Sequence, residues 1–412
     1  MSQASPARPS VPYRPAVVIV AGCLIALIAF GVRSTAGLFT SPISEAHGWG
    51  RETFGLAMAL QNLIWGAAQP FVGMLADRLG VMRVIMAGSL VYGAGVVIMA
   101  YAETPGALYL GGGLLMGIGI ASTSFTLVMA AFGRVVPPQR RSWSFGLATA
   151  ASSLGQFVFA PLGQGFIAAW GWQTALLVLA GITLMLIVLA VPLGSSRGGV
   201  AVGESEREMS LIEALRKAFG HSSYVLLVFG FFVCGFQVAF MTVHLPPYLV
   251  DRGASPTVAA WAIGVIGLFN IIGSYGAGVF GTHGSRRVGL AFIYAARSII
   301  VTAFLLIPIS TLSALVFTAL IGLLWLSTVP LTMGLVTVMF GTRYMATLTG
   351  FVFLSHQVGS FLGVWLGGHV YDRYGSYDIV WWASVALGIF AAAVHWPIRE
   401  ERARSFAAAA AS

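Results

Sequence analysis

Two arginines stand in stretches that otherwise read as hydrocarbon-facing helix. Arg33 lies in "IAFGVRSTAGLF", residues 28–39, and Arg297 in "IYAARSIIV", residues 293–301. A guanidinium at bilayer depth costs about 2.5–3.5 kcal/mol on insertion scales, so a compensating anion is expected nearby. The 13 acidic residues do not supply one. Glu45, Glu52, Glu103, Asp251, Asp372 and Asp378 map to one membrane face. Asp77, Glu204, Glu206, Glu208, Glu213, Glu400 and Glu401 map to the other. The missing partner of Arg33 can therefore be a ligand, because a planar guanidinium fork matches carboxylate or phosphate. The plain alternative is a brace bonded to backbone carbonyls and water. For Arg297 the brace is the first reading, and a substrate or gating role is the second. If both arginines reach one cavity, a dianion or an anion exchange is expected.

Four other polar residues fall at membrane depth. Asn62 and Asn270 sit mid-helix, where amides either hydrogen-bond across helices or line a cavity. His356, in "FLSHQVGS", is the titratable group best suited to a proton-linked step, against the reading of a neutral buried histidine. His244, in "VHLPPY", is expected near a helix end broken by Pro246 and Pro247, facing an outer vestibule. Gln61, Gln69, Ser122, Ser124, Gln156, Ser327 and Gln357 add polarity without a pattern. The seven histidines are scattered with no acid paired to them at depth, which argues against an integral-membrane enzyme. Cys23 and Cys234 lie in apolar runs, giving neither a disulfide framework nor metal spacing. No catalytic residue, metal or cofactor is expected.

The elements that carry these residues follow from composition. The 412 residues are 58% hydrophobic and 8% charged, against about 25% charged in a soluble domain, so the chain is a polytopic, all-α membrane protein. Helices are expected near 16–40, 54–76, 84–102, 106–132, 143–167 and 174–194, then near 223–246, 257–281, 288–308, 312–340, 347–369 and 378–397. That makes twelve, arranged as two six-helix bundles over 16–194 and 223–397. A polar N-terminal tail (1–15), a connector (195–222) with an amphipathic surface segment, and a C-terminal tail (398–412) complete the chain. The first helix is too long for a signal-peptide core and lacks a cleavage pattern. Net charge is +9, but its position argues against nucleic acid. Arg51, Arg252 and Arg373 fall at one face, and Arg33 and Arg297 within the membrane. The remaining seventeen of 22 Lys+Arg fall on the side of the tails and connector. This bias places both termini in the cytoplasm.

The halves repeat. "LQNLIWG" at 60–66 parallels "LFNIIGS" at 268–274, with Asn62 and Asn270 208 positions apart. At the same offset Gly73 matches Gly281, Arg78 matches Arg286, and "FG" at 132–133 matches 340–341. Parallel six-helix repeats are one transporter plan, with substrate near midplane between the halves.

"GMLADRLGVMR", residues 73–83, resembles the loop signature between helices two and three of the major facilitator superfamily, with Gly73, Asp77, Arg78, Gly80 and Arg83 in its motif positions. The second-half copy, "GTHGSRR", keeps Gly281 and Arg286 but has Ser285 at the acidic position. The resemblance implies a fold of two six-helix bundles and a conformational latch at these loops, with Asp77 using an arginine or a helix N-terminus. "RSTAGLF" and "GGHVYDRYGSYDIVWWAS" (367–384) are similar to the monocarboxylate transporter and oxalate–formate antiporter branch, which implies a small organic anion and a basic anchor at Arg33. That branch's helix-eight acid and arginine align with Asn270 and Ser274. Its helix-eleven lysine is absent, with His356 the nearest candidate.

The expected function is a secondary active or facilitative transporter of a monocarboxylate-like anion by alternating access, anchored at Arg33. The substrate-binding candidates are Arg33, Asn62, Asn270, Arg297, His356 and His244. The alternative is an exporter of drugs or metabolites on the same fold, although such proteins more often carry a membrane-embedded acid. A nutrient sensor would add long tails or loops. The expected setting is a bacterial inner membrane, as a monomer, with a proton or counter-anion as the candidate coupling partner.

Overall fold

In hydrocarbon every backbone N–H and C=O must be satisfied within the chain, and among the described residues helices alone do this. The computed structural model describes residues 14–137, 140–196, 211–341 and 345–403. Ten of its helical stretches are long and apolar enough to cross a membrane. The first half contains α1 (Pro15–Ser34), α2 (Arg51–Leu79), α3 (Val81–Ala100) and α4 (Pro105–Val135). A continuous helix, Arg141–Leu184, follows. It is two helices, α5 (141–170) and α6 (172–184), hinged at Gly171, whose φ of 78° suits a residue without Cβ. Helix α2 has the length to span, 29 residues, but Gln61, Asn62 and Gln69 lower the hydropathy of its middle, and it is not among the ten.

After the surface helix Leu211–Phe219 come α7 (Ser222–Asp251), α8 (Pro256–His283), α9 (Arg286–Leu306), α10 (Thr311–Phe340), α11 (Met345–Tyr374) and α12 (Asp378–His395). Each half packs its own core. One gathers Ile25, Phe54, Ile85, Tyr92, Phe132 and Leu179. The other gathers Tyr224, Phe240, Ile263, Tyr294, Phe304 and Trp381. Small residues let the halves meet closely. A Cβ on Gly267 of α8 would lie 2.7 Å from the Ser153 carbonyl of α5, and within the first half one on Gly155 of α5 would collide with the Leu27 backbone of α1.

Three helices depart from the sequence expectation. First, α1 stops at Ser34 and resumes through a 3-10 turn, Ala36–Phe39, into a short helix, Thr40–His47. Second, α10 is broken between Leu324 and Thr328. Third, α7 is not broken by Pro246 and Pro247 but runs on to Asp251. Pro247 lacks the N–H that would reach the Val243 carbonyl. That carbonyl instead accepts from Thr40 Oγ1 of the first half, at 3.3 Å. The neighbouring Thr242 carbonyl, freed by Pro246, is met closely by Gly37. The proline pair is therefore a docking surface for the first half rather than a helix end.

Candidate functional site

Arg33 occupies the last turn of α1. The local sequence ends the helix there. Ser34 Oγ donates to the Gly31 carbonyl at 2.7 Å, and Thr35 Oγ1 to the Val32 carbonyl at 2.8 Å. Orphan carbonyls are thus satisfied by adjacent hydroxyls, and the negative end of the helix dipole lies beside the cation. Across the bundle, Asn62 Nδ2 donates to the Met58 carbonyl at 2.8 Å. This turns Oδ1 toward Arg33, whose Nη2 donates to it at 2.7 Å. The guanidinium also lies 4.8 Å from the Trp65 ring and 5.6 Å from the Phe30 ring. Its Nε is buried and has no acceptor among the described residues.

Arg33 lines two cavities. One, of about 10 Å³, is shared with Gln61, Asn62 and Thr242 and lies at the seam between the halves. The other, about 20 Å³, reaches into the first half past Phe30, Trp65 and Phe125.

The structure brings Arg33 and Asn62 together and sets His356 one step away. Gln357 Nε2 of α11 donates to the Asn62 carbonyl at 3.0 Å. His356 Nδ1 lies 3.1 Å from Gln357 Oε1, and its ring stacks on Phe353. Phe353 in turn meets Trp65 edge-on at 5.4 Å. Gln357 and Gln156, which donates to the Ile263 carbonyl at 3.0 Å, both bridge the halves. Sequence reasoning left both unranked, and their only signal was an amide in an apolar run.

Arg297 is elsewhere and is taken up by backbone. It is 2% exposed. Nη2 donates to the Leu324 carbonyl at 2.6 Å and to the Trp325 carbonyl, and Nη1 donates to Gln237 Oε1 at 3.2 Å and to Cys234 Sγ at 3.7 Å. Those carbonyls are the loose ends of the α10 break. Asn270 holds the other side of that break. Its Oδ1 accepts from Leu326 N at 3.0 Å and from Ser274 Oγ at 2.9 Å, while Nδ2 donates to Ser153 Oγ at 2.9 Å. His244 is fully buried, with Nε2 2.8 Å from the Val364 carbonyl.

The halves are clasped at the end away from the chain termini. Arg51 forks onto Asp251 at 2.5 and 2.7 Å, donates to Tyr377 at 3.0 Å and lies 3.9 Å from the Tyr371 ring. Asp372 caps α2, accepting from the backbone N–H of Arg51 at 2.8 Å and of Glu52 at 2.7 Å. Glu52 accepts from Trp365 Nε1 at 3.0 Å and pairs with His369 at 3.1 Å.

At the terminal end, the charge pairs Asp77–Arg134 and Arg286–Glu400 each stay within one half. Asp77 pairs with Arg134 at 2.8 Å. Arg78 and Arg83 are exposed, Gly73 has open space around it, and Gly80 turns the chain with φ 91°. In the second half Glu400 supplies the carboxylate that Ser285 does not. Its Oε1 accepts from Ser285 Oγ at 2.5 Å and Arg287 N at 2.9 Å, and Oε2 lies 3.7 Å from Arg286. Burial raises the Glu400 pKa, but these donors and the Arg286 charge outweigh it and hold the carboxyl below its usual value.

The model of the Major Facilitator Superfamily matches residues 22–364. The chain belongs to the major facilitator superfamily. It is a multi-pass membrane protein of a transporter family, not an enzyme family. Among curated relatives, it is 26% identical over 358 residues to the uncharacterized MFS-type transporter YcxA of Bacillus subtilis (strain 168), covering 84% of this chain and 86% of that one. It is 25% identical over 368 residues to monocarboxylate transporter 13 of Rattus norvegicus, covering 88% and 83%. It is also 26% identical over 345 residues to monocarboxylate transporter 12 of Homo sapiens, covering 75% and 65%. A bacterial homologue of the human lysosomal transporter Spinster, solved inward-facing and unoccupied, superposes with a TM-score of 0.72 at 17% identity, covering 94% of this chain and 97% of that one. A D-xylose–proton symporter superposes with 0.71 at 15% identity, covering 93% and 97%. At these identities the two structures speak to the fold alone.

Proposed function

We propose that this superfamily member carries a small, monocarboxylate-like anion by alternating access, with Arg33 as the anion anchor. The observation that carries the reading is the contrast between its two buried arginines. Arg297 spends its fork on two backbone carbonyls and two side chains. Arg33 has five N–H donors, donates to Asn62, and borders two cavities. A carboxylate there would meet a pre-aimed cation in a water-poor site, where charge-assisted bonds are strong. The names of the monocarboxylate transporter relatives agree with this chemistry.

Under this reading α2 and the hinged α5–α6 pair bring the crossings to twelve, and the basic bias of the tails and connector puts both termini in the cytoplasm of a bacterial cell, across its inner membrane. The clasp at Arg51 then closes the outer side and leaves the site served from within. Gly73, Asp77, Arg78, Gly80, Arg83 and Arg286 act as the latch at the inner loops, with Glu400 completing the second copy. Asn62 orients the anchor, Arg297 and Asn270 hold the α10 break, and His244 packs the α7–α11 seam. His356 is the candidate for a proton-linked step, and exchange against a counter-anion is the other route. A single chain contains every group the cycle uses.

A ligand-stabilisation screen of purified protein against mono- and dicarboxylates tests the reading. Carboxylates should raise the melting temperature of the wild type and not of Arg33→Ala. Equal stabilisation of both would remove the anchor from the account.

A further inference from the structure

The second Arg33 cavity carries information about the body of the substrate, not only its charge. Its walls include Ala26, Ala29, Phe30, Trp65, Ile120 and Phe125. Three hydroxyl residues, Thr123, Ser124 and Ser152, also reach it, which at first makes it look amphipathic. Each of those hydroxyls is already engaged. Thr123 Oγ1 donates to the Gly119 carbonyl at 2.9 Å, and Ser152 Oγ to the Ala148 carbonyl at 3.1 Å. Ser124 Oγ sits 2.7 Å from Thr126 Oγ1 and 3.1 Å from Gln69 Nε2. The Trp65 indole N–H is likewise turned away, to Gln69 Oε1 at 3.0 Å, so the tryptophan offers ring rather than donor. The lobe therefore presents hydrocarbon and aromatic faces to whatever enters it, with one cation at its mouth. Among the described residues no second cation lines either cavity.

We infer that the preferred substrate is a monocarboxylate with an apolar body, its carboxylate on Arg33 and its body against the apolar lobe lined by Phe30, Trp65 and Phe125. This rests on the anion-anchor reading and narrows it. The carboxylate sits where the guanidinium fork is unspent. A planar body stacks between ring faces that already flank the cation. A hydroxyl or second carboxylate on that body would be stripped of water and find every nearby donor bonded to protein. The cavity itself is only about 20 Å³ in this conformation, so a ring-sized body requires the walls of the lobe to move apart.

The test is isothermal titration of the full chain in nanodiscs with acetate, phenylacetate, 4-methylpentanoate and succinate. Phenylacetate and 4-methylpentanoate are expected to bind at least tenfold more tightly than acetate, since a well-filled apolar pocket discriminates by about 10–200-fold per group. Succinate should bind no more tightly than acetate. In Phe30→Ala and, separately, Ala29→Leu, the phenylacetate-to-acetate affinity ratio should fall to within about threefold of one. The two variants empty and fill the lobe, so a misfolded one leaves the other. Acetate or succinate binding as tightly as phenylacetate in the wild type, with binding still lost in Arg33→Ala, would overturn this inference and leave the anchor standing. Binding of no carboxylate by wild-type protein would overturn both.

Discussion

The backbone carbonyl of Asn62 accepts a hydrogen bond from Gln357 Nε2, 3.0 Å away in the opposite half of the molecule. The same Asn62 holds Arg33 through its side chain. The residue that orients Arg33 is therefore tied to the other half, and under the proposed alternating access the rocking that separates the halves must loosen this tie. Site geometry and conformation are linked here through one residue.

Asn62→Asp should abolish anion binding with the fold intact, because an internal carboxylate would occupy the Arg33 fork. Asn62→Ala should weaken binding about tenfold or more, since a hydrogen bond to a charged group is worth about 1.5–3 kcal/mol. Dissociation constants by titration, beside melting temperatures, check both. Wild-type affinity in Asn62→Asp would mean that Arg33 and Asn62 do not form the binding fork.

The Arg51 clasp combines a bidentate pair with Asp251, a tyrosine hydroxyl and a ring face. Removing it by Arg51→Ala should favour opening at that end by about 1–2 kcal/mol, more than an ordinary exposed pair contributes. Labelling of a cysteine placed at Thr242, on a background with Cys23 and Cys234 replaced, should speed up about tenfold. An unchanged labelling rate would mean the packing of Gly37 against α7 suffices to keep the end shut.

The Glu400 contact with Ser285 and Arg287 has a definite pH signature. The folded-state carboxyl lies below its usual value, so its contribution is fully present above the unfolded value of about 4.3. It is lost as pH falls through the lower folded value. The stability difference between wild type and Glu400→Gln should accordingly be constant from neutral pH down to about pH 5 and shrink below that. Thermal melts across this range check it, and a difference that grows on acidification would reverse the assignment.

Asn270 leaves no titratable group in the middle of α8. Its amide is committed on both sides, to Leu326 and Ser153. Anion uptake should not require proton symport through α8, so Asn270→Gln should alter rate without altering the response to an imposed pH gradient. If a gradient drives accumulation, His356→Gln should remove that drive. Gradient-driven accumulation unaffected by His356→Gln would exclude this histidine as the coupling group.

The helices were legible because they are written in local apolar patterning. What was not legible depends on partners far along the chain. The α10 break exists because Asn270 and Arg297 satisfy its loose N–H and carbonyls, and neither residue is near it in sequence. Pro246 and Pro247 read as a helix end, yet Thr40 supplies the donor that lets α7 continue. The pause in α1 at "RST" was hidden by the apolar residues on either side. Arg33 and Asn62 were each visible as polar residues at depth, but their pairing required the fold. Gln357 and Gln156 were indistinguishable from other amides until the halves met. Glu400 was counted only as a tail charge, because nothing in a one-dimensional pattern joins it to Ser285.

Uptake into proteoliposomes by wild type and Arg33→Ala, each corrected for protein-free liposomes, tests the central claim most directly. Labelled monocarboxylate should enter wild-type vesicles saturably. It should enter Arg33→Ala vesicles no faster than the protein-free control, and Arg33→Lys should retain only a small fraction because the two-pronged geometry is lost. Circular dichroism and cysteine labelling should show the variants folded and clasped at Arg51. Saturable uptake by Arg33→Ala at a rate near that of the wild type would contradict the account.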